Sequence, residues 1–113
     1  MSVYLNLVKE IMENMPEYSS YSELKCIKWK YNEGIYEFID GYSDIEPSPI
    51  LTLTVDDCEE SMKQFVIGIM DGKWNFCGLN PNNGDNLFDP CNWDAIVVDA
   101  FVQYKLLGEV IYG

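Results

Sequence analysis

The stretch LKCIKWKYNEGIYEFIDGY, residues 24–42, decides the fold class because it has the pattern of a β-hairpin. Its first half alternates apolar residues with lysines, the period of a half-buried strand, at Ile27, Trp29 and Tyr31. Asn32-Glu33-Gly34 predicts a short turn, since glycine tolerates the left-handed backbone that tight turns need. The return strand then places Tyr36 and Phe38 together on one face.

The segments on either side of the hairpin predict a strand and a helix. Residues 50–55, ILTLTV, are rich in β-branched side chains and predict a third strand. Before the hairpin, apolar residues recur at helical spacing between Tyr4 and Met15. We expect this helix to be capped by Ser2 and to end at Pro16.

A second helix follows the third strand. Asp56 and Asp57 open it, and Asp57 with Glu60 has the spacing of a capping box. Gly72 suits its C-terminal cap. Its predicted buried stripe consists of Cys58, Met62, Phe65, Val66, Ile69 and Met70.

The last third of the chain is more ambiguous. Residues 73–79, KWNFCGL, predict a short fourth strand, and Asp89-Pro90 has the pattern of a helix cap followed by a first-turn proline. We expect a third helix that ends near Gly108, with its stripe at Trp93, Ile96, Val97, Ala100, Phe101, Tyr104 and Leu107. The β-branched content of residues 95–104 leaves a strand open as the alternative.

These elements predict one α+β domain over residues 1–113, in the order α-β-β-β-α-(β)-α. A three- or four-stranded antiparallel sheet with about three helices packed on one face is the simplest way to bury three amphipathic stripes.

The composition disfavours an enzyme. The sequence contains no histidine and no arginine, so it has no imidazole base, no histidine metal site and no guanidinium clamp for phosphate. The four cysteines lack the close pairs of a zinc site and are expected to be reduced; they are Cys26, Cys58, Cys77 and Cys91. We therefore expect no catalytic residue, no cofactor and no metal. No apolar run is long enough for a membrane span and no signal peptide is recognisable, which favours a cytoplasmic protein.

The formal charge of −12 indicates which kinds of partner the protein is suited to bind. Such a surface repels nucleic acid and anionic membranes and attracts basic proteins, so we do not expect the lysine-bearing strand at residues 25–30 to bind nucleic acid. The acids fall in three clusters, which are Glu10, Glu13 and Glu17, then Asp40, Asp44 and Glu46, and then Asp56, Asp57, Glu59 and Glu60. Spacings of about 5–6 Å along a helix can imitate a phosphate backbone. An acidity that serves solubility alone is the competing interpretation.

The leading hypothesis is a stoichiometric inhibitor that occupies a basic, nucleic-acid-binding surface of a partner protein. Tyr18, Tyr21 and Tyr42 are candidate aromatic anchors beside the acids. In composition and element order alone, the chain resembles small phage-encoded anti-defence proteins, including acidic anti-CRISPR inhibitors that act as DNA mimics, which would place it in a bacterial host cell. An immunity or antitoxin-like protein that neutralises a basic toxin is an alternative. A structural or adaptor subunit is another, and the chain is expected to be a monomer or a small homo-oligomer.

Overall fold

The computed structural model describes residues 2–13, 24–41, 49–74, 79, 81, 84 and 86–110. Within these residues three helices and three strands follow one another in the order α-β-β-β-α-α, which confirms the predicted α+β fold. They are α1 (Val3–Met12), β1 (Leu24–Lys30), β2 (Ile35–Asp40), β3 (Leu51–Thr54), α2 (Glu59–Met70) and α3 (Ala95–Leu107). Most of the predicted fourth strand lies outside the described residues. None of the described helices is long and apolar enough to cross a membrane.

The three strands form one antiparallel sheet in the order β1-β2-β3, with β2 in the centre. The predicted hairpin is confirmed. Its turn is a short 3-10 helix, Tyr31–Glu33, that ends at Gly34 with a φ of 65°, the left-handed conformation glycine adopts readily. Ile35 pairs with Thr54 across β2 and β3, so the end of β3 lies beside the hairpin turn.

The buried face of β1 was predicted wrongly. Ile27, Trp29 and Tyr31 are 46%, 43% and 50% exposed, whereas Leu24 at the start of the strand is fully buried. Two features of β1 explain the difference. The register shifts between Cys26 and Lys28, so Ile27 is left without a partner in the ladder, and the strand is an edge of the sheet whose second half is exposed on both faces.

The helices and one face of the sheet share a single cluster of buried apolar residues. Tyr36, Phe38 and Leu53 contribute from the sheet, as the alternation in β2 predicts. Helix α1 begins as expected, since the Ser2 hydroxyl accepts a hydrogen bond from the Leu5 amide at 3.1 Å. The predicted end of this helix at Pro16 lies outside the described residues.

Helix α2 begins later than predicted. Residues Val55–Asp57 form a 3-10 turn, and the N-cap of α2 is Cys58, which makes no side-chain capping hydrogen bond. The expected capping box is therefore wrong. The thiol of Cys58 instead donates to the carbonyl of Thr54 at 3.3 Å and is fully buried, which anchors the chain before the helix starts. Met70, placed on the buried stripe by its spacing, is 62% exposed at the last turn.

The end of α2 is closed by a Schellman motif, as the position of Gly72 suggests. The Gly72 amide donates to the Ile69 carbonyl and the Lys73 amide donates to the Gly68 carbonyl. The chain then returns over the helix, and the Trp74 ring lies directly on Gly68, where a Cβ atom would overlap it. Trp74 also stacks on Phe65 with ring centroids 4.7 Å apart.

Residues 95–107 are helical, which settles the ambiguity left by their β-branched content. Asp94 caps α3 by accepting from the Val97 amide, while Asp89 caps only the separate 3-10 turn Pro90–Asn92, so the helix starts later than the Asp89-Pro90 pattern indicated. Every residue from 97 to 103 is buried, so α3 has no exposed face there, and its two polar residues are joined by a hydrogen bond from the Gln103 amide to the Asp99 carboxylate at 2.8 Å. Ile96 is exposed, contrary to expectation.

Candidate functional site

An acid-lined groove of about 350 Å³ lies between the end of α1, the hairpin turn and the 3-10 turn after β3. We call it the acidic groove. Its functional lining consists of Lys9, Glu13, Tyr31, Glu33, Tyr36 and Asp56.

Strand pairing brings two of the three acidic positions together. The Val55 amide donates to the Gly34 carbonyl at 2.8 Å, which extends the β2–β3 ladder into the hairpin turn. Glu33 precedes Gly34 and Asp56 follows Val55, so the two acids lie on adjacent segments. Helix α1 contacts the 3-10 turn and adds Glu13 from a third element.

The groove is negative even though it contains one lysine. Three carboxylates and one ammonium give its lining a formal charge of −2. Glu33 forms an ion pair with Lys30 at 3.7 Å, but both side chains are more than half exposed, so the pair contributes little stability. Glu13 and Asp56 make neither a hydrogen bond nor an ion pair through their carboxylates in the described part of the chain. Their charge is therefore available to a partner.

Two tyrosines form the aromatic part of the groove. Tyr36 is only 2% exposed, while Tyr31 is half exposed, and their rings meet edge to face with centroids 6.2 Å apart. The Trp29 ring also meets Tyr31 edge to face, with ring centroids 6.5 Å apart. These contacts fix the orientation of the exposed Tyr31 ring.

The Tyr36 hydroxyl is in an unusual environment. The pKa of Tyr36 is raised to about 12, chiefly by burial and to a smaller extent by the neighbouring Tyr31, Glu13 and Cys26, because negative charge there disfavours a phenolate. The hydroxyl makes no hydrogen bond to any residue that the structure describes. Tyr36 therefore stays protonated and retains an unused donor and acceptor.

A second groove, of about 390 Å³, continues from the first along α1. Glu10 and Glu13 line it together with Cys91 and Trp93, and Glu13 belongs to both grooves. The acidic surface thus extends along the last turn of α1 rather than ending at the first groove.

The acids do not form a metal centre in the part of the chain that the structure describes. No three histidine, cysteine or acidic residues there are placed to hold one metal ion. The carboxylates of the acidic groove come from three separate segments. This arrangement suits an extended cation carried on a side chain better than a single bare ion.

The structure regroups the acids predicted from sequence. Glu13 and Asp56 come together in the acidic groove, and Glu10 lies in the second groove. Asp40 is at the opposite end of β2 from the hairpin turn, about 17 Å away along the strand.

The acids around the start of α2 lie outside both grooves. Asp57, Glu59 and Glu60 are exposed but line neither one. Glu60 accepts a hydrogen bond from Gln64 at 3.0 Å, and the Asp57 carbonyl accepts one from the Lys105 ammonium at 3.1 Å. The other predicted partner-binding residues lie outside the described residues, namely Glu17, Tyr18, Tyr21, Tyr42, Asp44 and Glu46.

Sequence reasoning gave a binding role to only two of the six functional lining residues of the groove, Glu13 and Asp56, and missed Lys9 together with three others. Glu33 and Tyr31 were assigned to the hairpin, and Tyr36 was assigned to its return strand on the same face as Phe38, with no role in binding. The β2–β3 register is the signal that places Glu33 beside Asp56, and this register is not visible in either strand alone.

Comparison with known proteins gives no relative from which a function can be transferred. No family model, no curated protein and no solved structure matches this chain.

Proposed function

We propose that the protein is a non-enzymatic acidic binding protein that occupies a basic, nucleic-acid-binding surface of a partner and thereby acts as a stoichiometric inhibitor. The observation that carries the proposal is the acidic groove, in which Glu13, Glu33 and Asp56 converge from three elements around two tyrosines. Its most consequential acids are those with no partner of their own within the described residues, Glu13 and Asp56.

Charge and aromatic surface have separate roles in this proposal. The net charge of −12 steers the protein toward a basic surface over distances of about one Debye length. Long-range attraction alone gives fast encounter with modest affinity, since rim charges act chiefly on the association rate. The groove supplies the short-range contacts, because a partially exposed aromatic ring beside unpaired carboxylates can desolvate and hold a cationic side chain.

A partner that normally grips nucleic acid fits this surface best. Such proteins present clustered lysine and arginine side chains toward phosphates. The second groove extends the row of carboxylates through Glu10, so that more than one cationic side chain can be engaged. Occupation of those side chains would exclude the nucleic acid from the partner, which is the basis of inhibition as a DNA mimic.

The experiment compares two double variants that remove the same charge. Glu13→Gln/Asp56→Asn removes the unpaired acids of the groove, and Asp71→Asn/Glu109→Gln removes two exposed acids that line neither groove. Each variant loses two carboxylates from a net charge of −12, which leaves −10. The probe is a fluorescently labelled oligolysine peptide, followed by anisotropy.

The groove variant is expected to bind the peptide less tightly than the control variant by about 0.5–2 kcal/mol, which is roughly twofold to thirtyfold. Raising the ionic strength from about 0.01 M to about 0.15 M shortens the Debye length from about 30 Å to about 8 Å and should weaken binding of the wild type strongly. If both variants lose the same affinity for the peptide, the acids attract it only through the overall charge, which would contradict the proposed docking site.

A further inference from the structure

We infer that the acidic groove is a pocket for a single arginine side chain of the partner, and that the Tyr36 hydroxyl is the group that favours arginine over lysine. This inference rests on the proposed function, because it specifies which cationic side chain the groove receives. It depends on a feature separate from the carboxylates, namely a buried hydroxyl without a partner.

The first step concerns the position of that hydroxyl. Tyr36 is 98% buried and its hydroxyl has no hydrogen-bond partner among the described residues, yet no fully buried polar side-chain atom in that part of the chain is unsatisfied. The hydroxyl oxygen must therefore reach the surface, and the acidic groove is the surface that Tyr36 lines. Glu13 and Tyr31, which act on the Tyr36 phenol electrostatically, line the same groove.

The second step concerns what such a hydroxyl accepts. A ligand that enters the groove meets the Tyr36 oxygen next to the Glu13 carboxylate, so a donor-rich cation can satisfy both at once. An anionic ligand would meet three carboxylates and is excluded by charge. A volume of about 350 Å³ is at the small end of the range for ligand pockets, which suits one side chain and not a folded segment.

The third step separates arginine from lysine. The guanidinium presents five N–H donors in a planar fork, whereas the lysine ammonium presents three around one point. The acceptors of the groove come from the end of α1, the hairpin turn and the 3-10 turn, an arrangement that suits a group whose donors point in several directions. The half-exposed Tyr31 ring, held by its contacts with Trp29 and Tyr36, provides a face on which the guanidinium plane can stack.

Hydration favours the same choice. The ammonium of lysine is compact and strongly hydrated. A guanidinium is more weakly hydrated, so it loses less hydration free energy when it enters a site lined by tyrosine rings. The structure thus provides a planar aromatic surface, dispersed carboxylates and one free hydroxyl at the place where an arginine head group needs them.

The test compares oligoarginine with oligolysine peptides of equal length and charge on the full chain. The measured quantity is the ratio of the two dissociation constants, which cancels the electrostatic attraction common to both peptides. Tyr36→Phe removes only the hydroxyl, and Tyr104→Phe is the matched control because Tyr104 lies on α3 and lines neither groove. Tyr31→Ala is a second variant on the exposed hairpin turn, so it tests the stacking surface with little risk to the core.

We expect Tyr36→Phe to weaken oligoarginine binding about tenfold and oligolysine binding far less, so the preference for arginine falls, while Tyr104→Phe preserves it. Tyr31→Ala should lower the preference as well. An arginine preference that survives both changes would overturn the inference. If the preference survives but Glu13→Gln/Asp56→Asn still weakens both peptides relative to its control, only the arginine assignment is wrong. If that variant behaves as its control does, the proposed docking site itself fails.

Discussion

The substitution Tyr36→Phe should stabilise the free protein while it weakens binding. Removing a buried hydroxyl that has a hydrogen-bond partner usually lowers the free energy of unfolding by about 1 kcal/mol. Among the described residues the Tyr36 hydroxyl has no such partner, and it is only partly exposed to the groove, so the part of its desolvation that solvent does not offset is a cost of folding. Phenylalanine keeps the ring and its contact with Tyr31 but removes that cost.

The size of the gain follows from where the hydroxyl lies. A buried polar group without a partner costs about 1–3 kcal/mol, and the opening of the groove places this hydroxyl in the lower part of that range. We therefore expect the free energy of unfolding to rise by about 0.5–1.5 kcal/mol. In a domain of this size that corresponds to an increase in Tm of about 5 °C.

The assay is urea unfolding followed by circular dichroism, supported by a thermal melt. Tyr104→Phe serves as the control, because that side chain is only partly buried and its hydroxyl likewise makes no protein hydrogen bond. Its stability should stay within about 0.5 kcal/mol of the wild type. A loss of about 1 kcal/mol or more in Tyr36→Phe would refute the reasoning, since it would mean that the hydroxyl is hydrogen-bonded in the folded protein.

Two further predictions concern the core and the cysteines. A Gly-to-Ala substitution within a helix normally raises stability by about 1 kcal/mol. In Gly68→Ala the added Cβ overlaps the Trp74 ring, so we expect the free energy of unfolding in urea to fall by about 1–2 kcal/mol. A gain in stability would show that Trp74 does not cover Gly68. Burial raises the pKa of the Cys58 thiol to about 12, so at pH 8 almost no thiolate forms there. Iodoacetamide should therefore modify exposed Cys91 long before Cys58 in the native protein, as read by peptide mass spectrometry, and equal rates would contradict the burial of Cys58.

The predictable part of the fold depended on local patterns that tertiary contacts reinforce. The alternation in β2 correctly placed Tyr36 and Phe38 on one face, and the structure shows that this face belongs to the buried core. The same alternation failed in β1, where Trp29 is exposed. Periodicity shows which residues share a face, but whether another element covers that face is decided elsewhere in the chain.

Helix boundaries failed where a neighbouring element competed with the local signal. Asp57 and Glu60 have capping-box spacing, yet continuation of the β2–β3 ladder through Val55 draws the chain into a 3-10 turn first. Cys58 then becomes the N-cap through burial of its thiol rather than through capping chemistry. Sequence spacing contains no information on that competition.

The candidate site was only partly accessible from sequence because it is assembled across elements. The acids were predicted as clusters of near neighbours in the chain, whereas the groove combines Glu13, Glu33 and Asp56 from three segments. Tyr36 shows the limit most clearly. The alternation in β2 predicted that it shares a face with Phe38, but its burial, and the lack of a hydrogen-bond partner for its hydroxyl among the described residues, depend on the side chains around it.

The measurement that tests the central claim most directly is competition between duplex DNA and the immobilised protein for a captured partner. A bacterial lysate is passed over the wild type and over both double variants at low salt, and retained proteins are challenged with duplex DNA at constant ionic strength and identified by mass spectrometry. We predict that the wild type retains a nucleic-acid-binding protein, that DNA releases it, and that Glu13→Gln/Asp56→Asn retains less than Asp71→Asn/Glu109→Gln. Retention that resists excess DNA and is equal in the two variants would contradict the claim that the acidic groove occupies a nucleic-acid-binding surface.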